Sequence, residues 1–126
     1  MRAVDTNVLV RLLARDDEEQ VAAAEAFVKD GAWVSHLVLA ETIWVLESVY
    51  ELEHPALMKA IGMLLSQEKI TLQKQEVVRE ALGHYKKRPS LRFSDCLILE
   101  IARDAGHLPL GTFDKKLSKV NGAKNL

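Results

Sequence analysis

Ala3-Val4-Asp5-Thr6-Asn7-Val8-Leu9-Val10-Arg11-Leu12-Leu13 reads as a very short apolar strand that runs into an acid and then into a helix. Ala3-Val4 is the strand. Val8 to Ala14 is apolar, with Arg11 and Arg15 four residues apart on one side, the spacing of a helical face. An acid at such a junction lies beyond the carboxyl end of a strand, where parallel α/β sheets place their sites.

The same unit recurs along the chain. Asp16-Asp17 is a turn and N-cap signal, and Ala24, Phe27 and Val28 give a helix that Gly31 stops. Trp33-Val34-Ser35 is a second strand. Val38 to Leu52 is the strongest helix, with Leu39, Ile43, Leu46 and Tyr50 inward. Pro55 suits the first turn of the next, whose stripe is Leu57, Ile61, Leu64 and Leu65. Ile70-Thr71-Leu72 is a third strand, followed by a helix through Val78, Ala81, Leu82 and Tyr85 that ends by Pro89. Ser94 reads as the N-cap of a helix through Ala105, with Ile98, Ile101, Ala102 and Ala105 inward, and Gly106 ends it. Leu108 to Gly111 is a fourth strand, Asp114 to Lys119 one or two helical turns, and a last short strand lies near Ala123. The alternation predicts an α/β fold: a three-layer sandwich, with a short parallel β-sheet flanked by helices.

Four acids occupy matching places in this scheme. Asp5 follows the first strand and Asp114 the fourth, Asp95 sits in the first turn of its helix, and Glu41 lies about one turn into its own. A parallel sheet lets all four converge on one edge. Carboxylates so gathered repel one another unless a cation neutralises them, and hard divalent ions prefer carboxylate oxygen. The pattern predicts metal-assisted phosphodiester chemistry. Each acid taken alone has a plain structural reading as a helix cap or first-turn acid. Glu41 fits that reading least, because Leu39, Ala40, Ile43 and Trp44 surround it.

Composition narrows the class. At 126 residues, 48% hydrophobic and 28% charged, the chain reads as a single domain spanning 1–126 with a real core. No apolar run approaches the roughly 20 residues of a membrane helix. Met1 to Val4 leaves no room for a signal peptide before the first acid. The one cysteine, Cys96, excludes an intrachain disulfide and a multi-Cys zinc site. The expected compartment is the cytoplasm. Net charge is −1, but its distribution is uneven: residues 1–69 carry 6 Lys+Arg against 12 Asp+Glu, and residues 70–126 carry 11 against 6. The basic half suits a polyanion or a charged partner.

The motifs together resemble PIN-domain ribonucleases, and most closely the VapC-like toxins of type II toxin–antitoxin systems. The resemblance covers essentially the whole chain. It runs through Asp5-Thr6-Asn7-Val8-Leu9-Val10-Arg11-Leu12-Leu13, Leu39-Ala40-Glu41, Trp44-Val45-Leu46, Phe93-Ser94-Asp95-Cys96-Leu97-Ile98 and Thr112-Phe113-Asp114-Lys115-Lys116-Leu117. It implies a PIN-like sandwich, an acidic pocket that binds Mg²⁺ or Mn²⁺, and endonucleolytic cleavage of RNA. Carried over by motif, Asp5, Glu41, Asp95 and Asp114 are the catalytic and metal-binding acids. Thr6 and Asn7 would orient Asp5, and Thr112 would support the pocket with its hydroxyl. The resemblance also implies a homodimer restrained by a cognate antitoxin. Relatives often carry an acid where this chain has Arg92, which puts the number of metal ions in doubt.

Other residues receive narrower readings. Arg11, Lys86, Lys87, Arg88, Arg92 and Lys115 are candidate RNA contacts, with Tyr85 as the one aromatic among the first cluster; a solvated helix end is the plain alternative. Cys96 is expected to be a small buried residue, not a nucleophile. His36, His54, His84 and His107 show no ligand spacing. Trp44 is expected in the core, the other reading being a partner surface with Tyr50 and Leu52. Two rival functions stay open. One is a non-catalytic PIN-like module that binds RNA or protein. The other is a phosphoryl-transfer domain of receiver or phosphatase type, which the Thr-Asn after Asp5 and the helical Glu41 fit less well.

Overall fold

A computed structural model describes residues 1–126. The class is α/β, as the alternation predicts, with six α-helices and short strands that all pair in parallel. The chain divides into two compact units, residues 1–75 and 76–126.

The first unit contains β1 (Arg2–Ala3), α1 (Thr6–Ala14), α2 (Glu18–Val28), β2 (Ala32–Val34), α3 (His36–Ser48), α4 (His54–Ser66) and β3 (Ile70–Leu72). Its sheet has the order β1-β2-β3, with Ala3 opposite Trp33 and Val34 opposite Leu72. Ala32 and Val34 are buried while Trp33 faces out, the two-residue period of a strand. α1 packs on α2 and α3, and α4 on β3. Helix starts are capped by side chains: Asp5 accepts from the Val8 amide, Asp17 from Gln20 and Ser35 from Val38. Leu57, Ile61 and Leu64 are buried as expected, while Leu65 is half-buried. Each fully buried side chain of that size contributes about 1.5–3 kcal/mol.

α3 departs from expectation at its end. Leu39, Ile43 and Leu46 are buried, but the helix stops at Ser48 and Glu51 takes a left-handed backbone at φ 56°. Tyr50 therefore lies past the helix. Its hydroxyl accepts from Arg11 at 2.9 Å and donates to Asp16 at 2.7 Å, and Arg11 also binds Asp16 and Gln20. The Tyr50 hydroxyl, together with the Arg11 charge, holds the Asp16 carboxyl below its ordinary range. This bridge ties the α1–α2 turn to the end of α3. Tyr50→Phe is expected to cost about 1 kcal/mol, read as a lower urea midpoint at unchanged slope. Trp44 is also not a core residue: it is 55% exposed.

The second unit contains α5 (Gln75–Lys87) but for its first residue, α6 (Phe93–Asp104), β4 (Leu110–Thr112), a 3₁₀ turn (Leu117–Lys119) and β5 (Ala123–Asn125). β4 and β5 pair with Leu110 opposite Ala123 and Thr112 opposite Asn125. β4 begins two residues later than expected, beyond Pro109, which has no amide to donate to a ladder. Tyr85 is buried and meets Phe93 edge-on, ring centres 5.8 Å apart. The cap of α6 is Arg92, through its backbone, rather than Ser94. Its inward face is also rotated from the expected one. Phe93, Cys96, Leu97, Leu99 and Glu100 are buried, while Ile98 is 51% exposed. Glu100 lies on this buried face, its carboxylate accepting hydrogen bonds from His84 and Arg103.

Candidate active site

Each unit carries two of the candidate acids. In the first, Asp5 is the N-cap of α1 and its Oδ1 accepts the Val8 amide at 3.2 Å. Thr6, the next residue, donates its hydroxyl to Glu41 Oε2 at 2.9 Å, from α1 to α3. This bond links Glu41 to the turn that carries Asp5. Asn7 is exposed on the same turn. Asp5 and Glu41 are both solvent-exposed, with carboxylate oxygens left to take a cation.

In the second unit Asp95 occupies the first turn of α6 and is half-buried. Burial raises its pKa above the ordinary 3.8, the Asp114 charge raises it further, and Arg92 opposes both. Asp114 sits just past β4 in a closed loop. The Thr112 hydroxyl accepts the Asp114 amide at 3.0 Å, and Asp114 Oδ1 accepts the amides of Lys116 and Leu117 at 2.8 and 3.3 Å. Arg92 acts as a cation beside Asp95, partly relieving the repulsion there.

Cys96 is fully buried, and burial, then the Asp95 charge, pushes its thiol up to about 11. Such a thiol is inert as a nucleophile near neutrality. The basic candidates divide. Lys86, Lys87, Arg92 and Lys115 are exposed and Arg88 is half-buried. Arg11 donates from its guanidinium to Asp16, Tyr50 and Gln20. Tyr85 is buried and offers no aromatic surface.

No group of three or more Asp, Glu, His or Cys side chains is arranged to hold an ion. The donor chemistry does fit a hard divalent cation, since all four candidates are carboxylates. The Asp95–Asp114 repulsion is the electrostatic condition such a cation relieves. The larger hollows of the first unit are of another kind. One has apolar walls that include Leu9, Leu13 and Ile70, with Arg15, Glu25, Lys29 and Lys69 also lining it, and holds none of the four candidate acids.

Two site features escape a reading by motif. Glu100 has no place in the motifs, although its spacing of seven from Phe93 and four from Cys96 puts it on their helix face. Phe113 is 82% exposed beside Asp114, although the motif uses it only as a spacer. No helix is long and apolar enough to cross a membrane. The chain matches no curated protein and no solved structure. The model of the PIN domain matches residues 2–123, through both units and all four acids. The chain belongs to the PIN-domain family.

Proposed function

We propose that this protein is a Mg²⁺-dependent endoribonuclease, with Mn²⁺ as an alternative ion, and the toxin of a toxin–antitoxin pair. The family match supports a nuclease-type activity. The observation that carries the metal-dependent reading is Asp95, a half-buried carboxyl destabilised by burial and by the charge of Asp114. Asp5, Glu41, Asp95 and Asp114 would hold the ion. When bound, a divalent cation supplies an acidified water and offsets charge on the phosphate oxygens. The chain's own groups prepare for this. Thr6 fixes one oxygen of Glu41, and the Thr112 hydroxyl with the loop amides fixes Asp114. Lys86, Lys87, Arg88, Arg92 and Lys115 carry positive charge suited to RNA phosphates.

Restraint by a cognate antitoxin and assembly as a homodimer in the cytoplasm belong to the same proposal. Leu37 and Trp44, 69% and 55% exposed on α3, support a surface that a partner covers. The second reading is a non-catalytic PIN-like module that binds RNA or protein, and the exposed Lys86, Lys87, Arg92 and Lys115 suit it equally.

The test is incubation of a mixed cellular RNA pool with wild type and Asp5→Asn, in Mg²⁺ and in EDTA. Discrete cuts are expected only from wild type in Mg²⁺, with Asp5→Asn folded but inactive. Cutting in EDTA, or full activity of Asp5→Asn, would sink the metal-dependent reading. RNA retained without cuts would move the assignment to the binding module.

A further inference from the structure

Phe113 is the most exposed large hydrophobic side chain in the protein. It is not on a loose tail. Thr112 on one side ends β4 and accepts the Asp114 amide, while Asp114 on the other side accepts two amides from the turn that follows. The turn is anchored by buried Leu117, and the Ser118 hydroxyl donates to the Lys115 carbonyl at 2.7 Å. The ring is thus displayed on a preordered loop, and ordering it against a ligand costs only its own two torsions.

A single exposed apolar residue is ordinary. What distinguishes Phe113 is its company. Its neighbours are an acid electrostatically coupled to Asp95 and two exposed ammonium groups, Lys115 and Lys116. Thr112, Asp114, Lys115 and Lys116 are polar, and the exposed Leu126, whose amide donates to the Thr112 carbonyl at 2.9 Å, adds a single apolar side chain, so a hydrophobic protein patch is poorly served. An aromatic face beside cations matches one nucleotide unit, base on the ring and phosphates on the ammonium groups. Only an unpaired base offers that face, because a duplex buries it in the stack.

We propose that Phe113 is the stacking platform for one unpaired base of the RNA strand, with Lys115 and Lys116 taking the flanking phosphates. This makes single-stranded RNA the preferred ligand and rests on the nuclease reading of the adjoining acids.

The test is binding of labelled single-stranded RNA oligonucleotides by the full chain in EDTA, where cleavage does not interfere. An abasic residue is moved along the strand from one oligonucleotide to the next. Phe113→Ala is expected to weaken binding about 5- to 150-fold, the range set by stacking one base, at an unchanged thermal midpoint. Phe113→Tyr retains affinity, whereas Phe113→Leu, apolar but without a ring, behaves as Phe113→Ala. Wild type loses the same factor when the abasic residue reaches one position, and there Phe113→Ala loses nothing more. A duplex of the same sequence shows no dependence on Phe113.

The idea is overturned if Phe113→Ala binds as wild type, if the two losses add at every position, if no single strand binds, or if only self-association changes. Cleavage in Mg²⁺ separates this from the nuclease reading. Cuts with no Phe113 effect remove the platform and keep the nuclease. Stacking-dependent binding without cuts does the reverse.

Discussion

Asp95→Asn is expected to remove RNA cleavage and, in the metal-free protein, to raise the thermal midpoint. The two effects have one origin. Burial and Asp114 raise the Asp95 carboxyl above 3.8, so its charge is disfavoured in the native state. The folded chain then holds the Asp95 proton more tightly than the unfolded chain does. Stability therefore rises as pH falls through the raised native value towards 3.8, and at neutral pH the whole penalty is present. Asparagine keeps the shape and discards the charge, with an expected gain of about 0.5–1 kcal/mol, typical of relieved charge repulsion, or a few degrees. The gain should vanish below pH 3.8, where wild type is protonated as well.

The activity arm has the opposite sign. Partners that merely support a metal ligand are worth about 10–100-fold, so loss of a direct ligand should cost on the order of 10²-fold or more. Melting curves in EDTA from pH 3 to 8, with RNA cleavage in Mg²⁺, check both arms. An Asp95→Asn protein less stable than wild type at pH 7 would contradict the electrostatic account. One that cuts at the wild-type rate would remove Asp95 from the site. Stability sacrificed at a functional position is what a strained site looks like.

How much of this was legible in the sequence depends on range. Ile70–Leu72 matches its expected bounds, because three alternating residues lie between turn signals. Gly31 and Gly106 stop their helices as expected, both at positive φ, where a side chain would be strained. The four acids stand beside strand ends or in early helix turns because local pattern alone decides that. Contacts between distant segments were not readable. Thr6 reaches Glu41 across 35 residues, and Tyr50 reaches Asp16 across 34. The buried face of α6 differs from the expected one for the same reason: a helix face is inferred from its own residues, whereas His84, which bonds the inward Glu100, lies on α5. Exposure of Phe113 and Trp44 follows from tertiary packing, which hydrophobicity does not report.

Glu100→Ala should destabilise the second unit strongly. The carboxylate is 4% exposed and accepts from His84 Nε2 at 3.0 Å and from Arg103 Nε at 3.1 and 3.2 Å. Arg103 also donates to the Asn121 carbonyl. Gly122 packs so closely that a Cβ there would lie 2.8 Å from Arg103 Nη2. Removing one partner of a buried pair costs about 3–5 kcal/mol when the other charge stays dry. His84 and Arg103 are 25% and 35% exposed, so water can partly replace the carboxylate. The discounted cost is about 2–3 kcal/mol, or roughly 8–12 °C in midpoint for a chain of this size. Glu100→Gln keeps the volume but discards the charge and replaces one accepting oxygen by an amide donor that faces Arg103 Nε, and should recover less than half of the loss. The network also bears on the site. α6 carries Asp95, the Asn121 turn leads into β5, and β5 pairs with the strand that ends just before Asp114. Cleavage by Glu100→Ala should thus fall even at 15 °C, where the variant remains folded, with a weaker apparent affinity for Mn²⁺. Thermal melts and a Mn²⁺ titration of cleavage measure the two losses. Equal stability of variant and wild type would show that the buried carboxylate contributes nothing net. Lost stability with unchanged Mn²⁺ dependence would confine the network to holding the fold.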